Sequence, residues 1–258
     1  MVDESTRQSV CDYLAGWEVR DGFSLLFAVE SGSRAWGFPS PDSDYDVRFV
    51  YQRPTDWYLS VQKRRDVLEA MPSADLDFAG WDLQKALPLL RKSNPSLLEW
   101  LGSPIVYAAN AEFMGEFRSL AERCVSLDAC FRHYLHMAES NWRAYFSGDE
   151  VRVKKYLYVL RPLLAARWIE QARSLPPVLF DSLVAIVGDL GPLFDEIASL
   201  LALKAVTSEV GSGPRRPVLD AFAESEMRRL AELRLPSAPP IEFEELDAFF
   251  RRWLERSR

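Results

Sequence analysis

Histidine and cysteine are scarce, with two and three in 258 residues. Cys11, Cys124 and Cys130 are odd in number and spaced unlike any metal pair, which excludes a disulfide scaffold and leaves reduced thiols. His133 and His136 stand at i and i+3 without an adjacent carboxylate pattern, so they read as packed or solvated side chains rather than ligands. No run reaches the ~18 apolar residues of a membrane span, which argues against a membrane partner. The opening residues, with Asp3 and Glu4, lack the basic-then-apolar order of a signal peptide, so a soluble cytoplasmic protein is expected. Positive charge is in deficit as well: 31 Lys and Arg against 38 Asp and Glu, a net charge of -7. That excludes a globally basic nucleic-acid binder but not a local basic cleft. Repeats and low-complexity tracts are absent.

What is present suits a folded chain, with 48% apolar and 27% charged residues. Ser5 to Trp17 reads as an amphipathic helix with Ser5 as its cap and Val10, Tyr13, Leu14 and Trp17 on one stripe. Phe23 to Glu30 (FSLLFAVE) reads as a buried strand. Asp44 to Gln52 reads as a second strand, with Asp44, Asp46 and Arg48 on one face and Tyr45, Val47 and Phe49 on the other. Two further strands are expected around Asp66 to Met71 and Asp75 to Gly80, broken by Pro72 and Ser73. From Asp82, a candidate N-cap, the period becomes helical. Helices are expected near 111–124, 128–147, 151–172, 179–188, 192–204, 217–232 and 243–256. The layout is a small α/β half followed by a helical half, with a seam near 105–111.

The densest chemistry lies in Ser31 to Arg48. Two carboxylates at i and i+2 on a strand point the same way and can share a divalent cation. Mg²⁺ takes few carboxylates together with substrate phosphates. Gly32 and Ser33 follow a buried strand, where glycine lets backbone N–H groups approach a phosphate and serine adds a donor. Each feature alone is common in turns and on solvated strand edges. Together, the order strand, Gly-Ser, helical turn and Asp-x-Asp strand resembles the nucleotidyltransferases of the DNA polymerase beta superfamily. The segments GSRAWGFPSPDSDYDVRFVY, GWDLQKALPLLRKSNPSLLEWLGSPIVY and KKYLYVLRPLLAARWIE are similar to the RlaP family within it, over roughly residues 23–232.

The resemblance implies an α+β fold: a small mixed sheet flanked by helices, followed by a C-terminal helical bundle. It divides the chain into a nucleotidyltransferase domain, 1–110, and a helical domain, 111–258, that closes over the nucleotide. The superfamily needs a third carboxylate on a neighbouring strand, and the RlaP-like acid three residues before Gly-Trp selects Asp77, with Asp75 in reserve. Asp82 reads as a helix cap and Asp42 as a turn residue. Asp44, Asp46 and Asp77 are thus implied as catalytic and metal-holding residues for two Mg²⁺ ions, with Mn²⁺ as a substitute. The substrate implied is a nucleoside triphosphate, and the acceptor is a hydroxyl at an RNA end.

Gly32, Ser33 and Arg34 are the expected nucleotide contacts in the first half. Arg48 shares the carboxylate face and either pairs with Asp46 or reaches a substrate phosphate. In the helical half Lys154, Tyr158 and Arg161 fall at i, i+4 and i+7, with Lys155 beside them and Pro162 kinking the helix. That basic stripe is the expected wall over the triphosphate or base, against the alternative of a solvated face. Lys85, Arg91 and Lys92 are a second candidate patch. Phe131, Trp142, Tyr145 and Trp168 are expected in a bundle core, and Trp81 and Trp100 in the α/β half. Two rival functions stand beside the RNA-directed enzyme: a catalytically silent nucleotide-binding or partner-regulating module, and an enzyme nucleotidylating a protein. The three intact acids favour catalysis.

Overall fold

The computed structural model describes residues 2–188, 190–206, 211–237 and 239–256. Two compact units emerge from it: Met1–Arg34, Asp44–Val125 and Pro239–Arg258 form the first, and Ala35–Ser43 with Ser126–Ala238 the second.

The first unit is built on a mixed five-stranded sheet. Its strands are β1 (Ser24–Glu30), β2 (Tyr45–Gln52), β3 (Val67–Ser73), β4 (Leu76–Asp82) and β5 (Val106–Ala109), in the order β3-β4-β2-β1-β5. Only β2 and β4 run parallel; the other neighbours are antiparallel. Helix α1 (Glu4–Asp21) covers one face, where Val10, Leu14 and Trp17 pack on Phe23, Phe49 and Phe78. Asp3, not Ser5, caps it, accepting from the Thr6 amide, while the Ser5 hydroxyl bonds Asp3 instead. A five-residue helical turn, α2 (Gly32–Trp36), follows β1, and a short α3 (Thr55–Tyr58) follows β2.

The opposite face carries α4 (Leu83–Arg91), α5 (Pro95–Leu101) and α6 (Ala111–Cys124). Asp82 accepts from the Gln84 amide as the cap of α4, and Asn94 and Asn110 cap the next two helices. Trp81 and Trp100 pack at a tilt of 34° with centroids 4.0 Å apart. Phe113 and Phe117 of α6 pack on Phe27 of β1, so burial joins α6 to the sheet and moves the seam from 105–111 to after Val125. The last helix of the chain also joins this layer, through Leu246, Phe249 and Trp253.

The second unit contains α7 (Leu127–Tyr145), a two-stranded ribbon of β6 (Glu150–Arg152) and β7 (Ser212–Pro214), α8 (Val153–Ala172), α9 (Phe180–Val184) with a 3₁₀ turn Ala185–Val187, α10 (Gly191–Val206) and α11 (Pro217–Ala231). The helix of the first unit near the C-terminus is α12 (Phe243–Glu255). The middle of helix α8 is buried on most of its circumference and forms the centre of the second unit, with Leu157, Leu160, Leu163 and Leu164 fully buried. Pro162 lies inside α8 and cannot donate to the Tyr158 carbonyl; Asn141 of α7 supplies that bond at 3.0 Å. Phe131 is buried as expected, whereas Tyr145 is exposed and Trp142 and Trp168 are half-buried.

Candidate active site

The parallel ladder of β2 and β4 places Asp46 directly beside Asp77. Both side chains leave the sheet on the same face, and one arginine joins them. Arg48 Nη2 donates to Asp46 Oδ1 and to Asp77 Oδ2, each at 2.7 Å, and its Nη1 donates to the Asp77 carbonyl at 3.0 Å. Of the two readings of Arg48, pairing is the one seen, and it extends to Asp77. Asp75 instead accepts from Ser73 at the β3–β4 turn.

Gly32 presses against the same carboxylate. Its φ is +60°, and a Cβ added there would stand 2.0 Å from Asp46 Oδ2, so only glycine fits. The Ser31 amide donates to the Asp46 carbonyl at 2.8 Å, tying the Gly-Ser turn to β2. Asp44 lies just before β2 and is exposed; its carbonyl accepts from Arg34 Nε at 3.2 Å, and the Arg34 guanidinium stacks on Tyr45 at 3.8 Å. Arg34 therefore closes the loop between the turn and the acidic strand.

Beneath this lies a carboxylate that sequence reading passed over. Glu30, the last residue of β1, is fully buried; its Oε1 accepts from the Asp46 amide at 2.9 Å, and its Oε2 accepts from the Tyr107 hydroxyl. Burial pushes its pKa up to about 7, partly offset by the Tyr107 and Asp46 hydrogen bonds. A lone acid closing an otherwise apolar strand was the available signal.

The two carboxylates facing one cation position are hard oxygen donors of the kind Mg²⁺ accepts when phosphate oxygens complete its shell, and here the guanidinium stands in that position. Among the described residues no three Asp, Glu, His or Cys side chains are gathered into a ready-made metal group. Asp46 and Asp77 fit a shared cation; Asp44 stands apart from their common hydrogen bond.

The remaining expected contacts lie in the second unit. Along α8, Lys155 Nζ sits over the rings of Tyr145 and Tyr158 at 3.7 and 4.9 Å, with Lys154 half-buried beside it. Arg161 is buried, 4% exposed; its guanidinium lies 4.3 Å above Trp36 and donates to the Val178 carbonyl. Tyr158 meets Trp36 edge-on. The stripe is thus contiguous, and its innermost member packs on the segment that follows the Gly-Ser turn. The second basic patch dissolves: Lys85 pairs with Asp66, and Arg91 donates to the Ile241 carbonyl and stacks on Phe243. His133 and His136 are exposed on α7.

A glycine turn against an Asp-x-Asp strand, with a third acid on the parallel neighbour, defines the nucleotidyltransferase class of the polymerase beta type. The chain belongs to the RlaP family, described as the RNA repair pathway DNA polymerase beta family, which it matches over residues 6–252. It is 43% identical over 226 residues to the uncharacterized protein YcgL of Bacillus subtilis (strain 168), covering 88% of this chain and 87% of YcgL. It is also similar to a solved nucleotidyltransferase-like protein from Exiguobacterium sibiricum 255-15, at 10% identity and a TM-score of 0.33, covering 87% of this chain and 74% of that one.

Proposed function

We propose that the protein transfers a nucleoside monophosphate from a nucleoside triphosphate to a hydroxyl, with an RNA end as acceptor. The observation that carries the reading is the Asp46–Asp77 pair on adjacent parallel strands, with the Gly32 backbone pressed against Asp46. Asp44, Asp46 and Asp77 would hold Mg²⁺, two ions in the full set, with Mn²⁺ as a substitute. Bound there, the metal supplies neutralisation of the triphosphate and acidification of the attacking hydroxyl.

The residues divide the remaining work. Gly32 and Ser33 offer backbone and hydroxyl donors to the phosphates, and Arg34 holds that turn against Asp44. Asp77 accepts the proton of the acceptor hydroxyl as its oxygen bonds the α-phosphorus. The bond between the α-phosphorus and the bridging oxygen then breaks and pyrophosphate leaves. Arg48 holds the two acids in register, and would be free to bond the phosphates if a cation were held between Asp46 and Asp77. Lys154, Lys155, Tyr158 and Arg161 supply the basic and aromatic wall for the triphosphate and base.

Incubation with each labelled nucleoside triphosphate, Mg²⁺ or Mn²⁺, and a panel of RNAs and co-purified proteins tests the reading. Label on RNA that disappears with Asp46→Ala supports it. Label on protein moves the acceptor to a polypeptide, and nucleotide binding without transfer under every condition marks a silent binding module.

A further inference from the structure

Lys63, Arg64 and Arg65 are the sole run of three cations in a chain of net charge -7. All three are exposed, in the connection between α3 and β3. Arg65 is paired with Glu69, and the neighbouring Asp66 is paired with Lys85. Among the described residues neither Lys63 nor Arg64 enters an ion pair.

An aromatic platform lies beneath them. The Trp57 ring has the Arg64 guanidinium 4.2 Å from its centroid, and the Arg53 guanidinium at the same distance. Arg53 is buried and anchored to the Asp21 carbonyl, whereas Arg64 stands in solvent. Trp57, Tyr58, Lys63, Arg64, Asp66 and Asp82 are among the side chains that line a cavity of about 120 Å³. Its floor is fixed: the Tyr58 hydroxyl donates to both oxygens of the buried Asp82 at 3.1 and 3.0 Å. Cations around an aromatic face recognise phosphates joined to planar bases, and stacking of this kind is tolerant of sequence.

The position matters as much as the chemistry. The cavity lies where the β2–β4 ladder ends, at the Tyr51–Asp82 pair, while the acids lie near its start, at Asp46–Asp77. Five residues of strand separate the two, about 17 Å along the ladder at ~3.3 Å per residue, and the odd number turns the Asp82 side chain to the other face of the sheet from the acids. That is too far for one phosphodiester unit and suits a strand of several nucleotides.

We propose that Trp57 to Arg65 is the docking surface for the body of a single-stranded polynucleotide whose terminal hydroxyl is presented to the carboxylate site. The presentation rests on the transfer reading above; the docking does not. Fluorescence anisotropy of the full chain with labelled single-stranded RNA and DNA oligomers, across a salt series, tests it. Combined Lys63→Gln and Arg64→Gln substitution is expected to weaken binding about tenfold and to flatten the salt slope by ~0.7 for each phosphate no longer neutralised. Trp57→Leu is expected to weaken it about fivefold, most for oligomers rich in purines. Asp46→Ala is expected to bind within about twofold of wild type while losing label transfer, which separates failure of the chemistry from failure of the docking. A preference for RNA or for DNA identifies the polymer the surface takes, equal binding shows that it does not read the sugar, and each of these results supports the proposal. It is overturned if wild type binds neither polymer at low salt, or if the double substitution leaves affinity and salt slope unchanged. Retention of polyglutamate but not of nucleic acid also overturns it, and marks the loop as a protein-docking surface.

Discussion

Arg48→Met removes the cation that holds two carboxylates together while keeping most of the side-chain stem. Arg48 Nη2 lies 2.7 Å from one oxygen of each, so without it the two charges face each other across the vacated position. Like charges about 5 Å apart repel by roughly 3 kcal/mol at an effective dielectric of ~20. The Asp46 and Asp77 side chains are 29% and 36% exposed, so water screens part of that repulsion. A net loss of about 1–2 kcal/mol follows, or about 2–4 °C in Tm for a chain of this size. On the proposed reading a divalent cation would enter the vacated position without displacing a guanidinium, so Mg²⁺ or Mn²⁺ is expected to raise the Tm of the variant more than that of wild type. Differential scanning fluorimetry in chelator and in each metal measures both effects. An unchanged Tm in chelator, or equal metal increments in the two proteins, would refute the reasoning. The sign departs from what the sequence suggests, since three clustered acids should repel and gain stability when one is lost. With Arg48 between them, Asp46→Ala is expected to lower Tm in chelator instead.

Gly32→Ala places a methyl carbon 2.0 Å from Asp46 Oδ2 at a φ of +60°, so a loss of at least ~2 kcal/mol in denaturant unfolding is expected, together with loss of transfer. A variant that unfolds like wild type would show that the turn relaxes freely. Asp82 is buried and its pKa is raised to about 6 by desolvation, above the unfolded value of 3.8. Its contribution is therefore fully present below about pH 4 and is lost as pH rises through about 6. Asp82→Asn keeps the helix cap without the charge, and should gain about 2–3 kcal/mol relative to wild type between pH 4 and 7.5; parallel unfolding curves at the two pH values would contradict this. Arg161→Lys keeps the charge but loses the planar stacking on Trp36, so it should weaken triphosphate binding measurably by calorimetry. Unchanged affinity would assign Arg161 to packing alone.

The first four strands and the acid pair were legible because strand alternation and a tight motif are local properties. The register that puts Asp46 beside Asp77 was carried by the motif, but the guanidinium bridging them was visible only as one of two readings of Arg48. Strand β5 escaped because four residues after a turn carry too little periodicity. The place of α12 on the sheet depends on contacts between Trp253 and Phe113, distant in sequence, that no window of residues contains. Helix α6 was assigned to the helical half because its period is helical; its apolar face is what ties it to β1. The Lys63–Arg65 run was plain in the sequence but lay between elements, where cations are usually solvated.

The parallel pairing of β2 with β4 has a bearing on how the chain tolerates change. The backbone leaves β2 at Gln52 and returns at Leu76 by way of α3, the connecting loop and β3. Hydrogen bonds along the ladder, not the length of that detour, set which residues of the two strands stand side by side. Lengthening a flexible connection costs little, about 0.6 kcal/mol for each doubling. The stretch between Leu59 and Arg65 is therefore the natural insertion point of the first unit, able to take a reporter or a foreign epitope while Asp46 and Asp77 keep their places. The chain's sole triple-cation run and its paired acids are in this sense separately editable, a loop and a ladder that can be altered independently.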